Sequence, residues 1–192
     1  MVRKSPNILQ IINTLAAAGG WGPTILQRRF EKGRVLVGQG AATANVFVIR
    51  SGIVKCFITE ENGKEYILEF SGEGEVLGEL EAIVRMPGMC TAKALSEVHV
   101  YQIDKASFLS LLAKEPVFNT AIMEMLAVRL TNTGTRASRQ QLHSLEHSLD
   151  QLLAVLASEK IPVAKQDLAD YLGISLRSLN RLLKDRPSRR PG

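Results

Sequence analysis

Between residues 24 and 103 glycine interrupts the chain at short, regular intervals, and the segments between the breaks are rich in Val, Ile and Phe. The apolar runs cover residues 24–30, 34–37, 45–49, 53–59, 65–70 and 98–103; the breaks fall at Gly33, Gly38 and Gly40, Ser51-Gly52, Asn62-Gly63, and Gly72 and Gly74. Runs this short and evenly spaced cannot form helices of ordinary length. They predict an antiparallel sandwich or small barrel. Glu60-Glu61-Asn62-Gly63-Lys64 lies between two alternating runs and predicts a hairpin, because Asn-Gly accepts positive φ.

The pattern changes at Asp104, a predicted N-cap for a short helix; Pro116 then opens a longer one, where its missing N–H costs little. Phe118, Ile122, Met125, Leu126 and Leu130 form one apolar stripe. After the polar segment 131–141, which contains Gly134, a stripe resumes at Leu142, Leu145, Leu149, Leu152 and Leu156, with heptad-like steps. Such a helix packs either on its own sheet or against its twin in a homodimer, and the polar middle favours the twin. At the other end, residues 1–18 predict an amphipathic helix rather than a secretory segment, because Gln10, Asn13 and Thr14 interrupt the apolar residues.

The last fifty residues predict helix, turn, helix. Residues 165–172 form the first helix, Gly173 ends it, and Ser175 caps a second that runs to about Asp185. Leu168, Ala169, Leu172, Ile174, Leu179 and Leu182 supply the buried face. Of 192 residues, 24 are Lys or Arg and 19 are Asp or Glu, a net charge of +5. Residues 175–192 alone hold six basic side chains (Arg177, Arg181, Lys184, Arg186, Arg189 and Arg190) against Asp185, which equals the whole excess. A basic second helix suits phosphate neutralisation, and the plain alternative is an ordinary solvated helix face.

In this order the segments resemble the Crp/Fnr family of bacterial transcription regulators. Phe47-Val-Ile-Arg-Ser-Gly-Ile-Val resembles its strand–Gly–strand segment, Gly74-Glu-Val-Leu-Gly78-Glu79-Leu80 its effector-pocket motif, and residues 167–181 its recognition unit. The resemblance implies an α+β chain in three parts: a jelly-roll-like antiparallel β-roll sensor with an N-terminal helix at 1–115, a dimerisation helix at 116–145, and a helix-turn-helix DNA-binding domain at 146–192. It also implies an effector pocket at Gly78, Glu79, Leu80, Met89, Cys90, Thr91 and Thr133. DNA-contacting residues would be Ser175, Arg177, Ser178, Asn180, Arg181 and Lys184, with Lys165 and Gln166 reaching phosphates. The implied partners are double-stranded DNA carrying an inverted repeat, a second copy of the chain, and RNA polymerase, in the cytoplasm and with no membrane.

The departures carry information too. Cyclic-nucleotide-binding relatives place Arg eleven residues after the motif's second Gly; here that position is Met89, followed by Cys90. Methionine neither donates to a phosphate nor balances its charge, so cAMP is not the expected effector. Glu79 keeps the ribose-binding position, with a structural carboxylate bonded to backbone N–H groups as its alternative. Cys56 and Cys90 are too few for an iron–sulfur site and are either small apolar filler or, at Cys90, a thiol sensor. His99 is a surface or satisfied residue, and His143 and His147 a solvated face with no third metal ligand. No cofactor or metal is implied, and the effector is an unidentified small molecule.

After Arg186 comes Pro-Ser-Arg-Arg-Pro-Gly, which leaves no room for the family's β-hairpin wing. A basic arm with more salt-sensitive binding is one expectation; a dimeric ligand-binding module that has lost DNA binding is the alternative function. No P-loop, Ser-His-Asp set or paired-carboxylate cleft points to an enzyme.

Overall fold

A computed structural model describes residues 2–18, 20–21, 24–158 and 163–185. The predicted basic arm at Arg186, Arg189 and Arg190 lies outside them. The elements run β1 (Val2–Arg3), α1 (Pro6–Ala17), β2 (Ile25–Phe30), β3 (Val35–Val37), β4 (Asn45–Ser51), β5 (Val54–Thr59), β6 (Glu65–Ser71), β7 (Val76–Leu77), α2 (Glu79–Val84), β8 (Thr91–Ala94) and β9 (Val98–Asp104). They continue with α3 (Lys105–Lys114), α4 (Pro116–Leu142), α5 (Leu145–Ser158), α6 (Lys165–Leu172) and α7 (Leu176–Asp185). Each predicted run became a strand. Three very short strands, β1, β7 and β8, and the short helix α2 carried no readable periodicity.

The strands form two sheets, in the orders β1-β6-β5-β8-β3 and β2-β9-β4-β7. All pairs are antiparallel except β1 with β6. Strand alternation then sorts side chains into layers. Phe47 and Ile49 of β4 meet Val54 and Cys56 of β5, Ala92 and Ala94 of β8, and Val98 and Val100 of β9 between the sheets. The opposite face of the four-stranded sheet, through Val46, Val48, Tyr101 and Ile103, packs on Ile8 and Ile12 of α1, Phe108 and Leu111 of α3, and Phe118, Ile122 and Met125 of α4.

The outer face of the five-stranded sheet carries the C-terminal unit. Phe57, Ile67 and Phe70 share a core with Leu149, Leu152 and Leu156 of α5, Leu168, Ala169 and Leu172 of α6, and Leu179 of α7. The helix-turn-helix is therefore docked on the β-roll of its own chain, with the Phe70 and Tyr171 rings stacked at 5.7 Å.

Two glycines carry the turn into the α2 region. Gly74 has φ +79°, and a Cβ there would lie 1.9 Å from the Ser5 carbonyl oxygen. Gly78 has φ +86° and would set a Cβ 2.9 Å from the Asn45 carbonyl oxygen. Elsewhere the predicted local devices are present. Asp104 accepts from the Ser107 N–H at 3.0 Å, Gly63 takes φ +77° in the 60–64 hairpin, and Gly173 ends α6 at φ +69°.

The long apolar stripe needs correcting. Phe118, Ile122 and Met125 face the chain's own sheet, and Leu126 is half-buried beside them. The predicted seam does not continue as one helix: α4 stops at Leu142, and α5 begins at Leu145. Leu149, Leu152 and Leu156 are buried under α6 and α7. The face of α4 turned away from the sheet instead exposes Met123, Ala127, Leu130, Gly134 and Ala137.

Candidate functional site

At the place where the sequence has no arginine, the fold brings one from another element. Arg129 of α4 projects into the β-roll beside the α2 turn. Its Nη2 donates to Glu75 Oε2 and to the Val76 carbonyl, each at 2.7 Å, and its Nη1 donates to Glu79 Oε1. Glu69 Oε1 lies 3.9 Å away, and the Glu69 carboxylate also takes Arg3, at 2.9 Å. Ser5 donates to Glu75 at 2.6 Å, and the Met89 N–H donates to Glu81 Oε1 at 2.9 Å. The side chains of Glu75 and Glu79 are only 3% and 2% exposed, so this is an ion cluster removed from solvent.

Its charges do not balance. Glu69, Glu75, Glu79 and Glu81 face two cations, Arg3 and Arg129. Burial raises the Glu79 carboxyl above its usual range, against the pull of Arg129 and with further help from Glu81 and Glu69. Burial works in the opposite direction on Arg129, but attraction to Glu79, Glu69 and Glu75 outweighs it and holds the guanidinium charged. The resemblance gives Glu79 a ribose as partner, with backbone N–H groups as the alternative; here its carboxylate takes Arg129 together with a backbone N–H.

A cavity of about 880 Å³ opens over this cluster, between the β-roll, α4 and the α5–α6 side of the C-terminal unit. Of the residues named for the effector pocket, Gly78, Glu79, Leu80, Met89, Cys90 and Thr133 line this cavity and Thr91 does not. The Thr91 hydroxyl instead faces the Gln39 N–H at 3.3 Å. The Thr133 hydroxyl is bonded back to the Arg129 carbonyl at 2.8 Å. Cys56 and Cys90 both line the cavity. Hydrogen bonding to Cys90, burial and the nearby Glu69 push the Cys56 thiol well above its ordinary range. His99 lies outside the cavity beside Glu97, and His143 and His147 stack on each other at an exposed site, 4.9 Å apart.

Two polar connections tie the cavity wall to the C-terminal unit. The Lys55 Nζ of β5 donates to Asp167 Oδ1 of α6 at 2.7 Å and reaches Glu65 at 3.2 Å. Burial opposes the Lys55 charge, and Asp167 and Glu65 more than restore it. Arg136 of α4 donates to the Leu68 carbonyl of β6 and, at 2.6 Å, to the Tyr171 carbonyl of α6, with its guanidinium 3.9 Å over the Tyr171 ring. Sequence reading passed over Arg129, Arg136, Lys55 and Asp167.

On the far side of the C-terminal unit, Arg177, Asn180, Arg181 and Lys184 are exposed on α7, above a buried Leu179. Ser175 caps that helix, its hydroxyl accepting from the Ser178 N–H at 3.1 Å and lying 2.9 Å from the Ser178 hydroxyl. Lys165 and Gln166 are exposed at the start of α6, with the Gln166 amide donating to Asp170 at 2.8 Å.

Residues 27–115 match the family model of the cyclic nucleotide-binding domain. The regulatory protein HlyX of Actinobacillus pleuropneumoniae is 24% identical over 172 residues, which span 83% of this chain and 71% of that protein. A probable transcriptional regulator, flp, of Lacticaseibacillus casei is 28% identical over 165 residues, 82% of this chain and 74% of that one. Among solved structures, the c-di-GMP-responsive global regulator CLP of Xanthomonas campestris superposes with a TM-score of 0.76 at 21% identity, covering 84% of this chain and 86% of that one. A putative crp/fnr-family regulator of Eubacterium rectale gives 0.74 at 16% identity, covering 93% and 86%. Over most of its length the chain is similar to these transcription regulators, and residues 27–115 resemble a cyclic nucleotide-binding domain. Within this fold, a guanidinium from the long helix α4 fills the floor of the β-roll. No helix among the described residues is long and apolar enough to cross a membrane.

Proposed function

We propose that this chain is a regulator of the Crp/Fnr type: homodimeric, sequence-specific in binding DNA, cytoplasmic, and controlled by an effector other than cAMP in the β-roll cavity. The observation that carries the proposal is the α7 surface. Arg177, Arg181 and Lys184 fall at i, i+4 and i+7, on one exposed face of a helix capped by Ser175 and anchored by Leu179. Arginines so placed can grip guanine O6 and N7 in the major groove, while Lys165 approaches the backbone.

The exposed seam of α4 supports dimerisation. Met123, Ala127, Leu130, Gly134 and Ala137 follow steps of four and three, and a Cβ at Gly134 would meet nothing within 4 Å in its own chain. A glycine inside a helix costs about 1 kcal/mol relative to alanine. Close approach of a partner helix gives that cost a purpose. Leu130 and Ala137 also border the cavity, so the partner would close its open side. A two-fold dimer places its recognition helices on half-sites one helical turn apart, and RNA polymerase is the further partner such a regulator would engage.

Against cAMP stand Met89, at the position of the phosphate-binding arginine, and the ion cluster, which already engages Glu79 and occupies Arg129. Burial and hydrogen bonding to Cys90 disfavour the Cys56 thiolate, so a redox input would have to act at Cys90.

The test is an electrophoretic shift against a selected pool of inverted repeats. Arg177→Ala with Arg181→Ala should abolish the shift and leave the circular dichroism spectrum unchanged. A shift that survives the double substitution refutes the assignment of α7. A wild-type chain that shifts no member of the pool leaves the non-DNA-binding regulatory module as the function.

A further inference from the structure

The cavity is electrically polarised, and its polarity specifies a ligand. At the floor, Glu69, Glu79 and Glu81 line the cavity with Arg3 and Arg129, and Glu75 pairs with Arg129, so carboxylates outnumber guanidiniums. At the other end Arg136 and Arg139 stand one turn apart on α4, and no carboxylate among the described residues pairs with either. Arg139 is exposed and touches only the Gln151 amide oxygen, at 3.3 Å. Arg136 lies over the rings of Tyr171 and Tyr66, and its Nε is buried without an acceptor. Between the two ends the wall is apolar, through Ile58, Leu68, Leu77, Leu126 and Leu152.

A cavity of about 880 Å³ accepts a ligand of drug size, and this one offers such a ligand three zones. An anionic group is repelled from the floor and attracted to the Arg136–Arg139 end. The apolar wall between the ends adds a demand for buried hydrocarbon. An apolar body with one terminal acid meets both demands. It buries hydrocarbon along the wall, places its carboxylate where two unpaired guanidiniums stand, and leaves the ion cluster intact.

We propose that the effector class of this pocket is an amphipathic monocarboxylic acid, with its carboxylate at Arg136 and Arg139 and its apolar body directed towards the β-roll. The proposal rests on the effector-pocket reading above and adds the chemistry of the ligand. Because Arg136 holds α6 through the Tyr171 carbonyl, an acid bound there would touch the same side chain that docks the helix-turn-helix.

Isothermal titration calorimetry of the full chain with three eight-carbon probes of one shape tests it: octanoate, octanol and octylamine, with cAMP as a fourth ligand. Octanoate should bind saturably, one per chain, about tenfold or more tighter than octanol, the scale of one charge-assisted hydrogen bond. Octylamine should bind more weakly than octanol. Arg139→Glu reverses charge at an exposed position and spares the docking contacts of Arg136; it should remove the octanoate preference and leave octanol binding unchanged. Equal affinity for acid and alcohol, preference for the amine, preference for cAMP, or no saturable binding of octanoate each overturns the proposal. A DNA shift run on the same ligand-free protein separates the two readings, since DNA binding through α7 stands even where the acid fails.

Discussion

Replacing Arg129 by Met tests whether the ion cluster is one electrostatic unit. The substitution nearly preserves volume and removes the cation that Glu75 and Glu79 share, leaving two carboxylates 3% and 2% exposed. Breaking a buried pair from one side costs about 3–5 kcal/mol. The protein can escape that cost only by protonating a carboxylate. From the reference value of 4.5, at 1.36 kcal/mol per pH unit, protonation costs about 4.8 kcal/mol at pH 8 and about 0.7 at pH 5. The expected loss is therefore about 3–5 kcal/mol at pH 8, falling to about 1 at pH 5.

The sign follows from the group involved. Glu79 already titrates above its unfolded value, so its protonated form contributes stability that is present below pH 4.5 and lost as pH rises through the raised folded value. Without Arg129 that folded value moves higher still, and the losing window extends towards neutral pH. Calorimetry at the two pH values reads this as a drop in Tm of roughly 6–20 °C at pH 8 and a few degrees at pH 5, at about 2–4 °C per kcal/mol. The triple variant Arg129→Met, Glu75→Gln, Glu79→Gln should recover most of the loss, since it removes both stranded charges. An equal loss at both pH values, or a loss under about 1 kcal/mol at pH 8, would show that the cluster is not the buried electrostatic unit described.

Lys55→Met strands Asp167 at the β5–α6 contact; amide exchange in α6 and α7 should rise while β4 and β9 stay protected, at a cost of about 3 kcal/mol or more. Ser175→Ala removes the acceptor for the Ser178 N–H and should cost about 1 kcal/mol, read as faster exchange in the first turn of α7. Gly134→Leu should convert the dimer to monomer in sedimentation, whereas the same substitution on a chain that is monomeric by design should leave the β-roll stable, because nothing lies within 4 Å of the added Cβ.

The β-roll was legible because glycine breaks and strand alternation are local, and so were the caps at Asp104 and Ser175 and the turn at Gly173. Stripe ownership was not. Residues 118, 122 and 125 look the same whether they meet a sheet or a twin, and only tertiary packing assigns them to the chain's own core. The decisive site residue did leave a trace. Arg129 continues the buried steps from Phe118 through Ile122 and Met125, and a charge on a buried face requires a counter-charge. Glu69, Glu75 and Glu79 supply it. Reading the stripe as apolar residues alone skips its one informative position. The Lys55–Asp167 contact left no comparable trace, because 112 residues separate two ordinary-looking charges.

Arg129 and Arg136 are seven residues apart, so they share a face of one unbroken helix and lie about 10 Å apart along it. The first is fixed by carboxylates at the cavity floor; the second is fixed by the Tyr171 carbonyl and ring on α6. A helix of this kind transmits a rotation or slide and does not absorb it, because its own hydrogen bonds hold every turn. A ligand that displaced the Arg136 guanidinium would therefore act on the contact that holds α6. The polar segment 131–141 is where the spacing of these two arginines is set. Its exposure has a matching division. Thr133 and Arg136 face the cavity, Leu130 and Ala137 border it from the opposite face, and Gly134 lies on that face, at the seam proposed for a second copy of the chain.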